Sequence, residues 1–110
     1  MVNAIPIPIH LLIHSVEYHE KEESTRYSSG YKQPTTIKNV RFSPTSKVIN
    51  AGSNEIKTLK AKLYIDCINS NPVMKLKEQS KVVFNNETYI VQFVKEAYAT
   101  ELHHYRVELI

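Results

Sequence analysis

The stretch KVVFNNETYIVQFVKE, residues 81–96, decides the fold. Two runs rich in Val, Ile, Phe and Thr flank Asn85 and Asn86, and asparagine tolerates the positive φ angles that a two-residue hairpin turn requires. The stretch therefore reads as an antiparallel hairpin, with strands at 81–84 and 87–96. The rest of the chain shares the bias, with many Val, Ile and Thr, 7 tyrosines and only 2 glycines. Such β-branched and aromatic side chains pack well on a pleated surface.

Downstream, after a short turn near 97–100, the segment 102–110 alternates His103, Tyr105, Val107 and Leu109 against His104, Arg106 and Glu108. Upstream, Leu59, Ala61, Leu63, Ile65 and Cys67 face one way, and Lys60, Lys62, Tyr64 and Asp66 the other. That strand has one buried and one wet face, as antiparallel sheets do. Asn69 to Pro72 end it with turn chemistry, and 75–80 is a charged connection with room for a short helical turn. At 36–43, Ile37 falls out of phase with Val40 and Phe42, which a bulge near Lys38 and Asn39 explains. At 11–18, LLIHSVEY places Leu12, His14, Val16 and Tyr18 on one face. Six short antiparallel strands in 110 residues predict an all-β fold, a small closed or nearly closed barrel, because closure removes vulnerable edges.

Between the strands lie two polar segments without periodicity. Residues 19–35, holding Gly30 and Pro34, read as a long loop or a loosely paired hairpin arm, and 43–57, opened by Pro44 and holding Gly52 and Asn54, as a second long loop.

The length suits one domain over 1–110, too short for two that each bury a core. With 42% hydrophobic and 23% charged residues the composition is that of a folded globular chain. Residues 1–13 are apolar but lack a basic leader region, and Pro6 and Pro8 break any helix there, so no signal peptide is expected. No apolar run approaches the roughly 20 residues of a membrane span, and a soluble protein without a membrane partner is expected. Cys67 is the only cysteine, which excludes an intramolecular disulfide and fits a reducing compartment.

The net charge of +3 conceals an asymmetry. Up to residue 25, Lys21 stands against Glu17, Glu20, Glu22 and Glu23, whereas beyond it 13 Lys and Arg face 7 acids. A mildly basic surface beside an acidic segment suits protein partners, or DNA passing nearby, better than tight sequence-specific DNA binding.

Candidate chemistry is sparse. His10 and His14 have the spacing of a helical zinc pair, but HLLIH lacks the glutamate of that motif and sits in a strand pattern. In a strand their Cα atoms stand about 13 Å apart, too far to share one metal easily. His103 and His104, as strand neighbours, point to opposite faces. Cys67, in phase with the apolar face, reads as an inert buried thiol. No Ser-His-Asp order, Gly-rich phosphate loop or Cys-x-x-Cys pair is present, so the reading is of a non-enzyme with no metal, cofactor or small-molecule substrate. Lys60, Lys62 and Tyr64 form a basic and aromatic row, to which Arg106 adds. Such a row is how a barrel, OB-like in manner, would approach nucleic acid, and it is more often a solvated face.

Four stretches together resemble the minor capsid, or head-completion, proteins of tailed bacteriophages and prophages of Gram-positive bacteria. They are LLIHSVEY (11–18), TIKNVRFSPTSK (36–47), NSNPVMKLKEQSKVVFNNETYIV (69–91) and ELHHYRVELI (101–110). The resemblance implies a homo-oligomeric ring of small β-barrels at the head-to-tail neck of the virion, assembled in the host cytoplasm. Proteins similar to it act as connector or stopper subunits that retain packaged double-stranded DNA and offer a surface to the tail. Their neighbours are the portal-adaptor and tail-terminator proteins. On that resemblance the loop 43–57 reaches toward the channel, with Ser43, Thr45, Lys47, Asn50, Asn54 and Lys57 as ring or channel contacts. The loop 19–35 meets a neighbouring subunit or ring through Glu22, Glu23, Arg26, Tyr27 and Tyr31. Lys60, Lys62 and Tyr64 are the candidates to face DNA.

Overall fold

The computed structural model describes residues 7–22, 30–50, 56–99 and 101–110, with the backbone alone at 49 and 50. After a single 3-10 turn at Ile9–Leu11 come β1 (His14–His19), β2 (Thr35–Asn50), β3 (Ile56–Asp66), β4 (Lys81–Phe84), β5 (Glu87–Tyr98) and β6 (Leu102–Leu109). They close into a six-stranded barrel in the order β1-β2-β3-β6-β5-β4. The predicted all-β barrel is therefore the observed one.

The hairpin at 81–96 forms as its sequence dictates. Lys81 pairs with Ile90 and Phe84 with Glu87, and Asn85 and Asn86 turn the chain at φ 50° and 64°. The phase slip after Ile37 is also real. Val16 pairs with Ile37 but His14 with Val40, so β2 carries an extra residue, and Asn39 absorbs it at φ 55°. Both Ile37 and Val40 consequently reach the interior, each fully buried.

The barrel is filled by the alternate residues of every strand, with Val16, Tyr18, Phe42, Leu63, Ile65, Val82, Val91, Val107 and Leu109 all buried. Phe42 stacks on Phe84 at 4.2 Å between ring centroids. Leu76, between two lysines in the connection after β3, also enters this core. The hydroxyl of Tyr18 accepts a hydrogen bond from Lys77 N (2.8 Å), and Ser80 Oγ accepts one from Lys21 N (2.9 Å), which fastens that connection to the end of β1. The Asn71–Pro72 peptide is cis.

Four expectations need correction. The segment 43–57 is largely not a loop: β2 continues to Asn50 and β3 begins at Ile56, with Lys47 opposite Leu59 and Asn50 opposite Ile56. Pro44 is accommodated by a register shift between Pro44 and Lys47. Beyond the barrel this two-stranded ribbon covers no core, so its sequence has no reason to alternate.

Asp66, placed on the wet face by its strand phase, is fully buried. It ends β3, and its carboxylate accepts bonds from Ile7 N (2.9 Å), Ile68 N (3.0 Å) and Asn69 N (2.8 Å). That arrangement closes the 67–70 turn and straps the incoming chain across it. Cys67 is correspondingly in the turn and half-buried, not in the core.

His103 and His104 do not point apart. Ala97 pairs with His104 and Tyr98 with Leu102, so His103 is an extra residue in β6, and such a bulge turns adjacent side chains toward the same side. Their Nδ1 atoms meet at 2.8 Å.

Candidate functional site

All neighbouring strands are antiparallel, so the links divide between the two ends of the barrel. The β1–β2 arm, the β3–β4 connection and the β5–β6 turn lie at one end. The β2–β3 ribbon and the turn at Asn85 and Asn86 lie at the other.

At the ribbon end, Val48 faces Thr58 across the ladder, and Ile56 is its diagonal neighbour on the same face. Val48 is 66% and Ile56 76% exposed, an apolar pair held clear of the barrel. Lys47 and Lys57 lie at the opposite parity, with Leu59. Of the other candidates here, Ser43 pairs with Lys62, and Thr45 lies in the register shift. Asn50 contributes its backbone pairing, and Asn54 lies outside the described residues.

At the arm end, the chain beyond β1 runs back on itself as a loosely paired hairpin. Lys21 bridges Tyr31, Glu22 N donates to Gly30 O (2.9 Å) and Lys32 N to Glu20 O (2.8 Å). Glu20 and Lys32 form an ion pair at 2.6 Å. That hydrogen bond holds the Glu20 carboxyl below, and the Lys32 ammonium above, their ordinary values. The Tyr31 ring lies under the Lys81 ammonium at 4.9 Å, with Lys21 at 6.0 Å. Glu23, Arg26 and Tyr27 lie outside the described residues.

On the barrel side, the three candidates of β3 point outward. Lys60 is exposed, and Lys62 and Tyr64 are half-buried. Register extends this row into neighbours that the sequence reading did not gather. Arg41 of β2 lies opposite Tyr64, Tyr64 opposite Arg106 of β6, and Arg106 opposite Lys95 of β5. Arg106 alone had been attached to the row by its sequence; Arg41 and Lys95 belong to it only through pairing.

His14 and His104 pack against neighbouring rings. His14 Nδ1 accepts a bond from Phe42 N (3.0 Å), and its ring meets Phe84 edge-on. His104 lies beside Tyr64, and burial, reinforced by His103, lowers its pKa. A cleft of about 250 Å³ is lined by Cys67, Ile68, Glu101, Leu102 and His103, and burial raises the Cys67 thiol above its ordinary value. Among the described residues no three His, Cys, Asp or Glu gather as metal ligands would, and no helix is long and apolar enough to cross a membrane.

The described residues thus form a small closed β-barrel with a ribbon at one end, a charged arm at the other and a basic row on its side. The family model described as minor capsid protein matches residues 8–109. The chain belongs to that phage family and is a structural component of the virion. No curated protein matches it.

Proposed function

We propose that this chain is a subunit of the phage head-to-tail connector, a head-completion ring of the stopper kind that retains packaged DNA and gives the tail its docking surface. The observation that carries the reading is the opposed placement of the two projections. A ring interposed between two others must present different surfaces to each, and this barrel sends the ribbon, with Val48 and Ile56 exposed, from one end and the charged arm from the other. Copies related by rotation make head-to-tail contacts that close into a ring, which leaves both ends available to other proteins. In this arrangement the ribbon, carrying Ser43, Thr45, Lys47, Asn50 and Lys57, extends toward the channel. The arm, with Glu22 and Tyr31, meets a neighbouring copy or the adjacent ring. The adjoining partners are the portal-adaptor and tail-terminator proteins, with packaged double-stranded DNA passing close by.

Electron microscopy of portal-containing heads mixed with the purified protein tests this directly. Density for a ring at the neck is the expected result. Heads that bind none of the protein, or that bind it over the shell, would sink the reading.

A further inference from the structure

The outer face of β3 and its neighbours has a charge arrangement that the fold does not require. Side by side across β2, β3, β6 and β5 stand Arg41, Tyr64, Arg106 and Lys95. Lys62 and Lys60 extend the row along β3 toward the ribbon. Arg41 lies between the buried Val40 and Phe42, and Lys62 between the buried Ala61 and Leu63. Like charges directly opposite on adjacent strands destabilise a sheet, yet Lys95 and Arg106 are such a pair.

The carboxylate at these paired positions is Glu108, opposite Lys62. It approaches Arg106 Nη2 only to 3.9 Å. Arg106 Nε is shut off from water without a hydrogen-bond partner among the described residues. Among the described residues no ion pair engages Arg41, Lys60, Lys62 or Lys95.

We propose that this face is a docking surface for the phosphate backbone of duplex DNA. Arg41, Lys60, Lys62, Lys95 and Arg106 supply the charge, and Tyr64 supplies a hydroxyl at the centre. Four adjacent strands span roughly 14 Å, and a duplex carries one phosphate charge per about 1.7 Å of axis, so the row faces several phosphates at once. The outside of a closed barrel is convex, which favours contact along the backbone over insertion of an element into a groove. Binding is then insensitive to base sequence.

The alternative occupant, the acidic arm of a second copy, is less complementary than its sequence implies. Glu20 is already paired with Lys32 at 2.6 Å, and Lys21 and Lys81 flank Tyr31 beside it. This inference does not depend on the neck position, and its test is separate from head binding.

The test is fluorescence anisotropy of a labelled duplex titrated with the full chain over a series of salt concentrations. The probes are K62Q/K95Q and a control, K38Q/K77Q, which removes the same charge from exposed lysines off the row. Circular dichroism confirms that both are folded. The face variant is expected to lose about tenfold in affinity at low salt and to shallow the log-log salt slope by about two, the control much less. Equal losses in both variants would reduce the effect to net charge and overturn the proposal. So would no binding by the wild-type chain at low salt, or capture of poly-glutamate in place of the duplex, which would assign the face to an acidic protein.

Discussion

Asp66 offers the sharpest test of how this barrel end is held. The residue is fully buried, and its two carboxylate oxygens accept from Ile7 N, Ile68 N and Asn69 N at 2.9, 3.0 and 2.8 Å. Hydrogen bonds to a charged acceptor contribute about 1.5–3 kcal/mol each, but these donors are only partly buried and water replaces some of what is lost. Asp66→Ala should therefore cost about 2–4 kcal/mol, which at this chain length lowers Tm on the order of 10–15 °C.

Asp66→Asn separates acceptor geometry from bulk. Its one oxygen can still serve Ile68 and Asn69, but its amide nitrogen then meets Ile7 N donor to donor, so about half the loss is expected. Thermal and urea unfolding followed by circular dichroism measure both variants, and amide exchange at Ile7 should accelerate selectively in the asparagine form. An alanine variant within about 1 kcal/mol of the wild type would refute the view that this carboxylate organises the turn.

Other outcomes follow from the same structure. Burial and the adjacent His103 hold the His104 pKa below its ordinary value, so the unfolded chain takes up more protons. Stability should then be full above about pH 6.5 and fall as acid passes through that value, and His104→Gln should flatten the decline in pH-dependent melts. Asn86→Gly, at φ 64° in the hairpin turn, should stabilise by about 0.4–1 kcal/mol in urea unfolding, since glycine adopts that φ without steric cost. Val48→Glu with Ile56→Glu should leave stability within about 0.5 kcal/mol, both positions being exposed, yet abolish incorporation into heads in the microscopy assay.

The legible part of the fold is the part whose faces differ in burial. From Leu59 to Ile65 each inward residue meets the core, so alternation is enforced, and the positive φ demanded at residues 85 and 86 selects asparagine. Even the bulge at Asn39 was visible, because Ile37 and Val40 are both core residues and cannot share a regular phase. Where no face is buried the signal vanishes, which is why the ribbon read as a loop.

Other features were hidden because they depend on distant partners. Asp66 receives a donor 59 residues away, and Leu76 plugs the barrel as a single apolar residue between lysines, with no period to reveal it. The row from Arg41 to Lys95 exists only through register across four strands. The bulge at His103 follows from pairing with Ala97 and Tyr98, so adjacent histidines in the sequence carried no hint of contact.

These differences locate the division of labour within the molecule. The core depends on Val, Ile, Leu and Phe contacts that any compact barrel needs, and the hairpin at 81–96 closes it through its pairing with β1. The positions that spend stability without improving the core are elsewhere: like charges opposite at Lys95 and Arg106, and apolar side chains exposed at Val48 and Ile56. A barrel selected for stability alone would replace the first with an opposite-charge pair and the second with polar residues. Both lie outside the core, one on the side of the barrel and one at an end, where the proposed contacts with DNA and with a neighbouring protein would cover them.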